Sequence, residues 1–131
     1  MKKYLLIGFL LIVSACASTH RPSYIYNEVL VINNSNELLS EVTITVPSSG
    51  RSFGCGNVAP LGICANRFGK RPYQYNPIQV EWTYGNTQRK SDEFVIEVPA
   101  YFSPGNSMRV VFDVSAEGDM SAYFDQDLPT R

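Results

Sequence analysis

Beyond residue 23 the chain alternates apolar and polar positions in short runs that turn-forming residues interrupt. Tyr24 to Asn33 reads as a first strand, closed by the turn-favouring Asn33-Asn34-Ser35-Asn36-Glu37 cluster. Leu38 to Val46 has a period of two, with Leu38, Ser40, Val42, Ile44 and Val46 on one face and Glu41, Thr43 and Thr45 on the other. That is the pattern of a half-buried strand, and Pro47 ends it. Ser48 to Ser52 reads as a turn. Phe53 to Phe68 is interrupted by glycines and reads as two short strands around Ala59-Pro60-Leu61-Gly62, whose Pro and Gly suit a type I turn. Gly69 to Pro77 reads as a loop.

Ile78 to Tyr84 carries the clearest strand pattern, Ile78, Val80, Trp82 and Tyr84 alternating with Gln79, Glu81 and Thr83. Gly85-Asn86 turns the chain, and the following strand begins polar, as a solvated edge, and becomes apolar at Phe94, Ile96 and Val98. Pro99 to Asn106 reads as a loop. Met108, Val110, Phe112 and Val114 share one face of the next strand, Glu117-Gly118-Asp119 is a hairpin signal, and Met120, Ala122 and Phe124 mark the return. No helical period appears after Cys16. Seven or eight short strands spaced by turns predict an all-β domain, a small antiparallel β-sandwich of immunoglobulin-like or fibronectin-like kind, with a small β-barrel as the alternative. Immunoglobulin domains pair two cysteines across the sheets around a Trp, whereas here Cys55 and Cys64 lie close together before Trp82.

The first residues follow a different pattern. Lys2 and Lys3 precede an uncharged apolar run from Leu5 to Val13, which Ser14, Ala15 and the polar Ser18-Thr19-His20-Arg21 close. A spanning helix needs about 20 apolar residues, and this run has the length and flanks of a secretory signal helix. Val13-Ser14-Ala15-Cys16 resembles the lipobox of bacterial lipoproteins: an aliphatic residue, a small residue, Ala or Gly, then Cys. The resemblance covers only this N-terminal stretch. It implies cleavage before Cys16, a diacylglycerol on the Cys16 thiol and, in many diderm bacteria, acylation of the new N-terminus. Two or three acyl chains hold a protein stably at a bilayer where one holds it marginally. Ala17 in place of the Asp that retains such proteins in the inner membrane implies the outer membrane, facing the periplasm. The expected organisation is a signal peptide over 1–15, a lipidated tether over 16–23, a β-sandwich domain over 24–126 and a tail over 127–131.

Composition narrows the function classes. Cleavage leaves 116 of the 131 residues, the size of one domain. It also removes Lys2 and Lys3, so the 11 basic residues fall to nine against 12 acidic ones. That balance argues against a nucleic-acid partner, which calls for a basic stripe. An even cysteine pair in an exported chain, Cys55 with Cys64, reads as a disulfide. A hairpin turning at Pro60-Leu61 would set Cys64 opposite Asn57 and leave Cys55 diagonal to it at about 7–8 Å, at the edge of disulfide reach. A bulge at the neighbouring glycines would restore the fit.

Catalytic parts are scarce. The single histidine, His20, lies in the tether, away from any nucleophile. Asp92-Glu93, and Asp125 with Asp127, read as solvated edge or turn carboxylates, and Met108 and Met120 as core rather than copper ligands. The expectation is therefore a chain that is not an enzyme and that holds no cofactor or metal beyond the covalent lipid on Cys16. Arg67, Lys70, Arg71, Tyr73 and Tyr75, with Phe68, form a basic and aromatic stretch in an acidic domain, chemistry suited to a glycan, an anionic polymer or a protein partner. The same residues equally suit a solvated loop covering the end of the sandwich. The expected function is a lipid-anchored, non-catalytic binding or scaffold module for an envelope protein or glycan. The alternatives are an accessory or catalytic subunit acting on envelope glycans, and a small-ligand carrier.

Overall fold

A computed structural model describes residues 22–126 of the chain. The expected signal peptide over 1–15, Cys16, His20 and the expected tail with Asp127 lie outside the described residues. Eight strands follow in order: β1 (Ile25–Asn33), β2 (Leu39–Val46), β3 (Arg51–Val58), β4 (Ile63–Pro72), β5 (Gln79–Tyr84), β6 (Thr87–Lys90), β7 (Met108–Val114) and β8 (Met120–Gln126). They form two four-stranded sheets, β4-β1-β7-β8 and β3-β2-β5-β6. The fold is a small β-sandwich and not a closed barrel. Every pairing is antiparallel except that of β1 with β7, which is parallel.

The alternation of β7 sets the core. Met108, Val110, Phe112 and Val114 point between the sheets, where they meet Val31, Leu39, Val42, Val80, Trp82 and Phe124. The outer face of the same sheet carries a charged row in register across its strands, in which Arg67 pairs with Glu28 at 3.3 Å and Arg109 with Asp125 at 3.2 Å.

Strand β2 departs from its sequence pattern. Leu39 is fully buried and Leu38 is 44% exposed, the reverse of what a strict period of two requires. The cause is a bulge at Ser40–Glu41, which shifts the register against both β3 and β5. Glu41 takes a left-handed conformation, φ 52°. One extra residue there lets an odd and an even position, Leu39 and Val42, both enter the core. After β6 the chain leaves the sheet, because Ser91 occupies the next ladder position: Val80 N–H donates to its Oγ at 2.9 Å and its own N–H donates to the Val80 carbonyl at 2.8 Å. The strand expected over Phe94 to Val98 is thus reduced to a single bridge between Phe94 and Ile78, although Ile96 still reaches the core.

The largest correction concerns β3 and β4. They are not a hairpin. β3 pairs with β2 and β4 with β1, so the 59–62 turn carries the chain from one sheet to the other. Leu61 at φ 58° makes this a type II turn rather than type I, and the Gly62 N–H closes it on the Ala59 carbonyl at 2.9 Å. With the strands in separate sheets the diagonal-neighbour problem disappears. Cys55 and Cys64 face each other across the edge of the sandwich and are bonded, with Cα atoms 6.1 Å apart. Strand β4 also runs through Pro72, so Arg67, Lys70 and Arg71 lie on an edge strand and not in a loop.

The end of the sandwich that holds this turn, here the distal end, is fastened by polar contacts. Asn33 is fully buried at the end of β1. Its Nδ2 donates to the carbonyls of Glu37, Val58 and Ala59 at 2.8, 3.1 and 3.2 Å. Its Oδ1 accepts from Ser35 N and Oγ at 3.0 and 2.6 Å. On the other side of the same end, β5 reaches over to the β7–β8 turn: Trp82 Nε1 donates to the Gly118 carbonyl at 3.3 Å and the Tyr84 hydroxyl to Ala116 at 2.9 Å. Gly118 sits at φ 83° under the Tyr84 ring, where a Cβ would lie 2.7 Å from ring carbon.

Asn33→Ala removes a fully buried side chain that donates to three carbonyls and accepts twice from Ser35, and is expected to destabilise the domain by about 2–4 kcal/mol. Asn34→Ala, which removes an exposed contact to Asp113, should change stability by less than about 0.5 kcal/mol. Urea denaturation of both variants checks the contrast. Opening the short Cys55–Cys64 loop with reductant should lower stability by about 2.5 kcal/mol in the same assay.

Candidate functional site

At the opposite, proximal end the sheets enclose a cleft of about 380 Å³. Its mouth lies between edge strands β3 and β4, past the disulfide. Val29, Ile44, Ile96, Val110, Phe112 and Phe124 form the apolar floor. Arg51, Ser52, Asn66, Arg71 and Gln74 form an exposed polar rim. A volume in this range, an apolar body and a few polar groups at the edge are the usual attributes of a small-ligand site.

Local irregularities aim the side chains. Between Tyr26 and Glu28 the register of β1 slips against both β4 and β7. On β4 the pairing passes from Arg67 to Arg71 while β1 advances from Glu28 to Tyr26, so Phe68, Gly69 and Lys70 bow out of the ladder. Phe68 and Arg71, three residues apart, would lie on opposite faces of a regular strand. The bulge brings both to the cleft, where the Arg71 guanidinium sits 4.9 Å from the Phe68 ring centroid. Tyr26 packs edge-on against Phe68 at 5.5 Å and Tyr73 at 6.3 Å, and Tyr73 packs against Phe124 at 4.6 Å. Together they make an aromatic wall on the β4–β1 side of the cleft.

Tyr73 is the most constrained member of that wall. Its hydroxyl donates to the Ile96 carbonyl. Burial, reinforced by the Glu97 carboxylate, holds its ionisation well above the usual tyrosine value. Its neighbour Tyr75, 4.6 Å away ring to ring, adopts φ 56°, a left-handed conformation rarely taken by an aromatic residue.

The basic and aromatic stretch seen in the sequence therefore divides. Arg71 and Tyr73 line the cleft, with Tyr75 packed behind Tyr73. Arg67 points to the outer face of its sheet, against Glu28. Lys70 is an exposed residue of the β4 bulge. Arg51, Phe53 and Tyr26 complete the site and were not singled out from sequence. Only sheet pairing brings Arg51 and Arg71 to one rim, and the local signal at Phe53 is slight: inward positions at 53 and 55 within a glycine-rich run.

The charges are also sorted by place. Arg67, Arg89 and Arg109 each hold a carboxylate. Arg51 and Arg71, the two that line the cleft, hold none among the described residues, and no Asp or Glu is among the lining residues. Asp125, expected as a solvated carboxylate, is engaged with Arg109 on the outer face. Met108 faces Gln126 and Met120 faces Val114, at opposite ends of the β7–β8 hairpin and some ~20 Å apart by strand rise. The two sulfurs are thus not placed to share a metal.

No protein-family model and no curated protein matches the chain. Among solved structures it is similar to an NMR structure of a protein from Eubacterium rectale, at 11% identity, over 87% of this chain and 99% of that chain, with a TM-score of 0.47.

Tyr73→Phe removes the bond to Ile96 and should destabilise the domain by about 1 kcal/mol at neutral pH. Because folding raises the Tyr73 ionisation, its contribution is complete below the unfolded value near pH 10 and is lost as pH rises beyond it. Between about pH 9 and 11, denaturation midpoints of the parent should therefore fall more steeply than those of Tyr73→Phe. Parallel slopes would contradict this account of Tyr73.

Proposed function

We propose that the protein is a lipid-anchored binding module of the bacterial envelope, held at the outer membrane facing the periplasm by acyl chains on Cys16, and that its binding site is the cleft between β3 and β4. The single observation that carries this reading is the position of the cleft. It opens at the end of the sandwich where Pro22 to Tyr24 lead into β1, the end from which the Cys16 tether extends. Eight residues span at most about 28 Å when fully extended, so a Cys16 anchor keeps the start of β1, at this end of the sandwich, within that distance of the bilayer. The module acts by binding: the arginines, amides, Ser52 hydroxyl and aromatic rings gathered at the cleft are groups that recognise and hold a guest.

The small-ligand carrier is favoured as a second reading by the apolar floor of the cleft. It differs from the first only in whether the guest is released elsewhere.

Two measurements test the proposal. Cys16→Ser should abolish metabolic labelling with palmitate and leave the precursor uncleaved at Ala15–Cys16; unchanged labelling and processing would remove the anchor from the account. A photocrosslinking amino acid at Phe53, inside the cleft, should give adducts in living cells, and the same residue at Leu61, 70% exposed on the distal turn, should give few. Adducts at Leu61 alone would move the binding site to the other end of the molecule.

A further inference from the structure

The cleft has two kinds of surface in a fixed order: an apolar, aromatic interior and a rim bearing two arginines. An entirely apolar guest would leave those guanidinium groups without a counter-charge. A wholly polar anion would leave the floor of Val29, Ile44, Val110, Phe112 and Phe124 unfilled. The guest that satisfies both has an apolar chain and an anionic head. We infer that the cleft binds an anionic amphiphile of the membrane, its acyl chain between the sheets and its carboxylate or phosphate against Arg51 and Arg71.

This inference rests on the binding-module reading and names the guest's chemistry. Three observations converge on it. Arg51 and Arg71 lack the carboxylate partners that Arg67, Arg89 and Arg109 have. Arg71 lies over the Phe68 ring, which orients its planar fork at the place where chain gives way to head. The mouth opens at the tether end, so a guest drawn from the leaflet enters with little travel. The protein's own acyl chains fit less well, since the glyceryl thioether and N-acyl amide that carry them present no anion to the two arginines.

The test uses the full-length lipoprotein in phosphatidylcholine nanodiscs. The probes are palmitate carrying an aliphatic diazirine, the corresponding neutral alcohol, and phosphatidylglycerol with the diazirine in one acyl chain. After irradiation, peptide mass spectrometry should place adducts on residues 51–53 and 66–73. The double variant Arg51→Gln/Arg71→Gln should lower palmitate labelling at least tenfold. Lys90→Gln, which removes a charge of the same sign far from the cleft, should leave it within twofold. Asn66→Trp, which fills the mouth from an exposed edge position, should lower labelling by palmitate and by the alcohol alike, with an unchanged circular dichroism spectrum.

Labelling by phosphatidylglycerol places the source in the leaflet, and labelling by free palmitate alone places it in solution; either supports the shared chemistry. Equal labelling by the alcohol, or palmitate labelling that survives the double variant, overturns the anionic head. No probe adduct in the cleft, combined with a protein adduct at Phe53 in cells, overturns the amphiphile and spares the binding module. No adduct of any kind at Phe53 overturns both.

Discussion

The sandwich depends on how the chain crosses between sheets at residues 59–62, and that crossing depends on Asn33. Its side chain touches the β1–β2 loop, the end of β3 and the following turn together, with Glu37, Val58 and Ala59 all accepting from Nδ2. A buried amide is tolerable only when its hydrogen bonds are complete, and here Nδ2 donates to three backbone carbonyls while Oδ1 accepts twice from Ser35. The amide thus meets a need of the backbone while meeting its own. The nearby disulfide joins the same two edge strands covalently, and Trp82 and Tyr84 fasten the far side of the same end.

The fastening is asymmetric, and the asymmetry positions the site. Contacts between the sheets are largely polar, directional and covalent at the distal end, whereas at the proximal end side-chain packing around a cleft dominates and the Tyr73 bond to Ile96 adds to it. Edge strands β3 and β4 are largely exposed, and their inward residues, Phe53, Cys55, Cys64 and Phe68, serve first as staple and then as wall. Protection against unwanted strand pairing is provided along the same edge by Arg67, Lys70, Arg71 and the β4 bulge, devices that make an exposed edge a poor template for another chain.

The all-β sandwich was legible in the alternation of β5 and β7, whose inward residues follow a period of two. Where the period fails, the reading failed with it. Nothing in Ser40-Glu41 announces a left-handed residue, so Leu38 rather than Leu39 was assigned to the core. The 59–62 turn has hairpin composition, yet its strands enter different sheets, because turn chemistry fixes a reversal of direction and not the partner that follows. Of the site, Arg71 and Tyr73 were visible as part of a basic and aromatic stretch. Arg51, Phe53 and Tyr26 were not, since they come from strands remote in sequence whose juxtaposition is a property of the two sheets and of a bulge.

The parallel pairing of β1 with β7 has a bearing on the order of assembly. Tyr26 is matched with Met108 and Asn33 with Val114, so the centre of one sheet cannot close until nearly the whole domain has been synthesised. Such non-local pairing is slow because a long loop must be ordered before its contacts form. Cys55 and Cys64, nine apart in sequence, meet far earlier. The contact that ties the two sheets at their crossing is thus local in sequence, while the pairing that closes the centre of one sheet is not.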